Sequence, residues 1–205
     1  KKTNFLKKER IKKIKLNVLG EHNIQNSLAA VTVAKILNIE STDLKKAFNN
    51  FKGVKRRFTV VCNFKGIKII DDYAHHPEEI KATLKLAKVL KTKRIIVFFQ
   101  PHRFSRFKHL YSDFKRTLKE CDKLYVADVY AAGEKRNKTI SKERFVNDMN
   151  QSRSNFAKTL DNFKNLEKIL INEASSGDLA IFIGAGDISK WVNDLPKKLK
   201  KNFNK

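Results

Sequence analysis

Cysteine is scarce in this chain: Cys62 and Cys121 are the only two in 205 residues. Two isolated thiols build neither a disulfide framework nor a structural zinc site, so a small stapled scaffold is excluded and a reducing cytoplasm fits best. Long apolar runs are missing as well. No stretch approaches the roughly 18 residues that cross a bilayer. The basic N-terminus lacks the apolar centre of a secretory signal, and membrane insertion is not expected. There are only 3 prolines and 7 glycines, with no low-complexity linker and no internal repeat. The first residue is Lys1, not methionine, which suggests a fragment or a processed product. Acidic residues are also short, 21 against 45 basic ones, for a formal charge of +24. Such a charge points either to a polyanionic partner or to a lysine-rich solvated surface. Lysine far outnumbers arginine, whereas dedicated nucleic-acid surfaces lean on the forked guanidinium, so the second reading is preferred.

What remains is ordinary globular material. The apolar share of 41%, rich in Ile, Leu, Val and Phe, is enough for a sizeable core. The length suits one domain and part of another. Apolar spacing predicts a helix over residues 23–37 and a second over 42–50 with Ser41 or Thr42 as its cap. Gly53 and the basic run 55–57 read as a connector, so residues 1–55 and 56–205 are taken as separate domains. Beyond it, 59–63 and 67–70 form a hairpin around Lys65 and Gly66. Helices are expected at 77–90, 107–121, 141–149, 163–174 and 188–195, and strands at 94–99, 123–127 and 178–183. Strands alternating with helices mean a mostly parallel α/β sheet, which binds ligands beyond the carboxyl ends of its strands.

Four polar clusters follow predicted strands, where that rule places a site. The first is Asp71-Asp72-Tyr73-Ala74-His75-His76-Pro77. A carboxylate here can accept ribose hydroxyls or hold a metal-bound water, and imidazoles titrate near neutral pH; the plainer alternative is a turn aspartate and histidines beside a helix cap. The second, Gln100-Pro101-His102-Arg103-Phe104-Ser105-Arg106, sets two guanidiniums three residues apart near a helix start. That suits a carboxylate or phosphate, or else is a solvated basic turn. The third is Asp128-Val129-Tyr130-Ala131-Ala132-Gly133-Glu134, where Glu134 serves a site or faces water. The fourth is Gly184-Ala185-Gly186-Asp187, with Asp187 suited to capping the next helix. Upstream, Asn23 and Asn26 share one face near a helix N-terminus, and their amides can pair with an adenine edge. No regular metal-ligand spacing appears, so no metal site is assigned.

The segments GEHNIQNSLAAVTVA, GVKRRF, DDYAHHPEEI, QPHRFSR, DVYAAGE and IGAGDI, in this order, resemble the Mur ligase family, and the double histidine followed by QPHR resembles its alanine-adding branch. The resemblance covers about Gly20 to Ser189. It implies that residues 1–55 are the tail of a central ATPase domain and that 56–205 are a C-terminal Rossmann-like domain that brings the amino acid. The sugar-nucleotide domain and the phosphate loop G-x-x-x-x-G-K-[ST] would lie upstream, with the magnesium ligands. The implied activity is ATP-dependent ligation of L-alanine to the lactyl carboxylate of UDP-N-acetylmuramate through an acyl phosphate, in peptidoglycan precursor synthesis. By the same resemblance Asn23 and Asn26 recognise adenine, Arg57 reaches the nucleotide phosphates and Asp72 holds the ribose. Tyr73, His75, His102, Arg103 and Arg106 surround the amino acid, with His75, Arg103 and Arg106 catalytic and either arginine on the alanine carboxylate. Phe104 stands where tyrosine is common and Phe107 where a small polar residue is common, which bears on the shape of the amino-acid pocket. Two alternatives stay open: a recycling ligase of the same family that attaches a ready-made peptide, and a basic nucleic-acid-binding module.

Overall fold

The structure, a computed structural model, describes residues 14–18, 20–136, 139–161, 163 and 166–203. The chain divides into two compact units, Lys1–Val54 and Lys55–Lys205.

The first unit holds α1 (Glu21–Ile36) and α2 (Ser41–Asn50). α1 begins earlier than the spacing predicts. Gly20 is its N-cap, and the Asn23 amide donates to the Gly20 carbonyl at 3.0 Å, so Asn23 lies inside the first turn and does not cap. For α2 the cap is Glu40, without a side-chain bond; Ser41 is already helical. Of the hydrophobic residues described here, only Ala34 and Leu44 are buried, while Ile24, Leu28, Val33 and Ile36 are more than half exposed. An isolated helix gains little from propensity alone and depends on burying an apolar face. Among its described residues this unit buries little apolar surface.

The second unit is a six-stranded sheet covered by helices on both faces. β1 (Thr59–Phe64) and β2 (Ile67–Asp72) form an antiparallel hairpin. Its turn is closed by a bond from the Gly66 amide to Asn63 Oδ1 at 3.1 Å. β3 (Ile95–Phe99), β4 (Lys123–Ala127), β5 (Ala157–Leu160) and β6 (Leu179–Ile183) follow, in the spatial order β1-β2-β6-β3-β4-β5, and every pairing after the hairpin is parallel. The mostly parallel sheet expected from the alternating pattern, and the Rossmann-like architecture implied by the resemblance, are therefore the ones observed. β3 and β6 are buried at every residue, as strands covered on both faces must be. Successive side chains point to opposite faces. Phe99 joins Ile70, Leu84, Phe114 and Phe145 on one side of the sheet. Phe98 joins Phe182, Leu170, Val192 and Leu195 on the other.

The helices are α3 (Pro77–Val89), α4 (Phe104–His109), α5 (Tyr111–Leu118), α6 (Lys142–Asn150), α7 (Leu166–Glu173) and α8 (Ile188–Phe203). Two helical regions and one strand differ from expectation. The helix predicted over 107–121 is two helices, broken at Leu110. α8 does not stop before Pro196 but runs through it, because the apolar stripe continues to a buried Leu199. β5 was not foreseen. It has four residues, and polar Lys158 and Thr159 interrupt its apolar signal. Its outer edge is closed by the Asn150 amide, which accepts from Ala157 N at 2.8 Å and donates to Ala157 O at 2.9 Å, protecting an otherwise open edge.

The paired aspartates at the end of β2 divide between the two faces. Asp71 is buried and accepts from Ser189 Oγ at 2.5 Å and Asn193 Nδ2 at 3.1 Å, tying β2 to α8; it is not a turn residue. Asp72 accepts from Phe58 N at 2.7 Å, Ala74 N at 2.9 Å and Thr83 Oγ1 at 3.1 Å. With the Tyr73 amide donating to Arg56 O at 2.7 Å, these bonds fasten residues 56–58 to the end of β2. Burial raises the Asp72 carboxyl above its ordinary range, against the pull of those three donors.

Two outcomes follow. Amides of α1 and α2 should exchange with deuterium much faster than those of β3 and β6, since opening energies track local burial; equal protection in a mass-spectrometric time course would contradict the packing described. Asp72→Ala should cost about 2–4 kcal/mol in urea unfolding, because it strands buried donors. Asp72→Asn, which keeps one acceptor, should cost less. A loss under about 0.5 kcal/mol for the alanine variant, the level of an ordinary surface change, would exclude the fastening role.

Candidate active site

The four clusters sit at the carboxyl ends of β2, β3, β4 and β6, at one edge of the sheet. Cross-strand bonds bring them together. Tyr130, after β4, donates its amide to Pro101 O at 2.8 Å and accepts the Arg103 amide at 2.8 Å. Its ring stacks on His102 at 5.5 Å between centroids. The turn after β6 packs beneath: Gln100 Oε1 accepts the Ile188 amide at 3.1 Å, satisfying the first donor of α8. A Cβ on Gly186 would stand 2.5 Å from that Gln100 oxygen and 2.6 Å from Tyr130 Cγ, and one on Gly184 would stand 2.8 Å from Gln100 O. The glycines are there for close approach, not merely for a tight turn.

The double histidine separates into two tasks. His76 is the N-cap of α3, in a reciprocal capping arrangement with Glu79. His75 faces the site. Its ring lies 5.2 Å from Tyr73 and 5.6 Å from His102, measured between centroids. Together with Tyr130 these rings make a continuous wall. His75 Nδ1 lies 3.0 Å from Tyr73 O and 3.4 Å from Glu79 Oε2. Both neighbours only accept, so Nδ1 carries a proton and the neutral ring keeps its lone pair on Nε2. His102 is the converse. Its Nδ1 is 3.3 Å from Arg106 Nη1, and a guanidinium only donates, so Nδ1 is the acceptor and Nε2 carries the hydrogen. Burial first, then the charge of Arg106, hold His102 below the ordinary imidazole value of 6.5.

Arg103 is the N-cap of α4 at φ 70°, a left-handed backbone that a side-chain-bearing residue adopts at a cost. The bond to Tyr130 holds it there. Its guanidinium is about half exposed and lies 4.0 Å from Glu134 Oε1. The anion-welcoming helix start expected from the sequence is already occupied. Glu134 accepts from Ser105 N at 3.0 Å and from Ser105 Oγ at 2.5 Å. These bonds hold its carboxyl below the usual range. At the root of the same loop Lys142 bridges Asp128 at 2.9 Å and Asp161 at 2.8 Å. Burial works against its charge, but the two carboxylates outweigh burial and raise its pKa.

Tyr73, His75, His102, Arg103 and Arg106 therefore stand in one neighbourhood, as the sequence led one to expect of their loops. Arg57 is exposed at the start of the same unit, and Asn23 and Asn26 lie in the first unit, on α1. Asp72 faces inward, with one of roughly four carboxylate lone-pair positions left beside its three donors. Phe107 does not shape the pocket. It is fully buried against Phe99, Phe114 and Phe145, and Phe104 is buried too. Arg56, read from sequence as linker charge, donates to Gly184 O at 3.0 Å and lies over the Tyr73 ring at 4.5 Å. Nothing in the run Lys55-Arg56-Arg57 distinguishes it beforehand. Among the described residues no three His, Cys, Asp or Glu gather as a metal site.

The chain is similar to known proteins over most of its length. The family model described as "Mur ligase, glutamate ligase domain" matches residues 56–186. UDP-N-acetylmuramate–L-alanine ligases of Rickettsia bellii and Rickettsia felis are 47% and 45% identical over 92% of this chain. The chain spans about 40% of the length of these curated relatives. The crystal structure of UDP-N-acetylmuramate-alanine ligase from Thermotoga maritima matches with a TM-score of 0.73 and 30% identity, covering 92% of this chain and 40% of that one. A murein peptide ligase from Psychrobacter arcticus, at 19% identity and a TM-score of 0.67 over 91% of this chain and 38% of its own, shares the fold. With the family model matched over residues 56–186, more than half of the chain, the chain belongs to the Mur ligase family.

Proposed function

We propose that this chain is the C-terminal part of an ATP-dependent ligase that joins L-alanine to the lactyl carboxylate of UDP-N-acetylmuramate. The observation that carries the reading is the cluster of Arg106, His102, His75 and Tyr73 at the sheet edge, beside the identity to L-alanine ligases over 92% of the chain. ATP and magnesium belong to the same reading. ATP converts the carboxylate to an acyl phosphate with a good leaving group. Asn23 and Asn26 are proposed for adenine, Arg57 for phosphate, and Asp72 for a ribose hydroxyl through its remaining lone pair. By the likeness to the family, the magnesium ligands are proposed to lie upstream of these residues.

The work of this unit is to hold the amino acid and manage one proton. Arg106 is the guanidinium for the alanine carboxylate. Its near partner is a neutral imidazole, whereas Arg103 already stands near Glu134. A guanidinium paired only with a neutral group keeps its full charge for an anion. His75 presents Nε2 as a base and takes the ammonium proton. The freed amine attacks the acyl carbon and the N–C bond forms; the C–O bond to phosphate then breaks, and the second amine proton leaves with the departing phosphate. Placing these partners at contact distance supplies most of the acceleration.

Arg106→Ala in the full-length ligase should raise the alanine KM by an amount equivalent to about 2–4 kcal/mol, with the ATP KM nearly unchanged. Arg103→Ala should lose less, and Lys in place of Arg106 should rescue poorly, since an ammonium cannot reproduce the fork. If Arg106→Ala behaves like Arg153→Ala, a change away from this loop, the amino-acid assignment is wrong. The same assay with a tripeptide in place of alanine separates the recycling reading, which requires the tripeptide to be the better substrate.

The lowered pKa of His102 gives a pH dependence with a definite sign. The neutral form is favoured in the folded state, so its contribution to stability is complete above the ordinary value of 6.5. It is lost as pH falls through the lowered folded value. His102→Gln, which cannot titrate, should show a shallower acid fall in urea midpoint than the parent. Parallel curves would remove His102 from the account.

A further inference from the structure

Glu134 ends the loop after β4, outside the group that meets the amino acid, and its contacts run to the loop that carries that group. Its carboxylate takes the Ser105 amide at 3.0 Å and the Ser105 hydroxyl at 2.5 Å, so it caps the first turn of α4 from another strand's loop. It also stands 4.0 Å from Arg103. The loop that presents it is itself braced. Asp128 at its root is held by Lys142, which Asp161 holds in turn. Tyr130 in its middle exchanges two backbone bonds with Pro101 and Arg103. α4 has only 6 residues, and its N-cap, Arg103, sits in a left-handed conformation that makes no side-chain cap bond. Such a helix does not hold its own start.

We propose that Glu134 is a positioning residue for amino-acid binding: by capping α4 through Ser105 it sets the direction of Arg106 and, through the Arg106–His102 bond, the tautomer of His102. This rests on the reading of Arg106 as the carboxylate contact. Glu134 is not itself a ligand for the amino acid's carboxylate, since like charges repel and its oxygens already accept from Ser105. What it contributes is geometry. A displacement of about 1 Å at a positioned group costs on the order of a hundredfold, and where that group holds the substrate the loss falls on substrate binding.

The test is kinetic, in the full-length ligase, with Glu134→Ala, Glu134→Gln and Arg106→Ala measured together. Glu134→Ala should raise the alanine KM roughly 10- to 100-fold with the ATP KM and melting temperature nearly unchanged. Glu134→Gln, whose amide oxygen still accepts from Ser105, should recover most of the loss. In the 205-residue chain the ¹⁵N shift of His102 Nδ1, which reports the Arg106 bond, should move in Glu134→Ala and return in Glu134→Gln. An alanine KM within twofold of the parent for Glu134→Ala, while Arg106→Ala is impaired, overturns the positioning role alone. So does a loss shared equally by KM for both substrates and by melting temperature, the mark of a merely structural residue. If Arg106→Ala is equally silent, the amino-acid assignment falls and the role of Glu134 with it.

Discussion

Parallel pairing is the constraint on which the rest of this structure depends. β2, β6, β3 and β4 run the same way, so each ends at the same edge and each must hand the chain to a loop there. A parallel sheet cannot turn back in two residues; it needs a crossover, and the crossover helices cover both faces. That requirement buries β3 and β6 completely and leaves the strand ends as the place where polar side chains collect. The antiparallel β1 is the exception, and it marks where the chain enters the sheet through residues 56–58.

The loops at that edge do not stand alone. The turn after β6 presses glycine backbone against Gln100 and Tyr130. Tyr130 stitches the β4 loop to the β3 loop. Glu134 caps the helix that carries Arg106. Each bond spans two strands, so no loop keeps its shape without its neighbours. The left-handed backbone at Arg103 is tolerated because the surrounding bonds over-determine it. The electrostatics follow from the same contacts. Two arginines three residues apart are sorted into one near a carboxylate and one beside a neutral imidazole. Two histidines are sorted into opposite tautomers by the groups their Nδ1 atoms meet.

Much of this was legible beforehand. The alternation of apolar runs with helical spacing, and polar text after each predicted strand, was enough to expect a parallel sheet with a site at one edge. The misses have physical causes. β5 is an edge strand half made of polar residues, so its apolar signal was too short to register. The break at Leu110 carries neither glycine nor proline to announce it. α8 passes through Pro196 because packing of Leu195 and Leu199 outweighs the one bond a proline removes.

Sequence by itself determined which chemistry was available and in which loops: two aspartates, two histidines and two arginines, each pair beside a strand end. Such information is local, and periodicity and turn chemistry express it within a few residues. Tertiary structure alone decided the division of labour within each pair. Asp71 turns to α8 and Asp72 to residues 56–58, because neighbours on a strand face opposite sides. His76 caps a helix while His75 faces the site, and Glu134 reaches across 29 positions of sequence to hold Ser105. Those outcomes depend on which loops the sheet order makes adjacent, and hydrogen bonds between loops distant in the chain leave no periodic trace within either one.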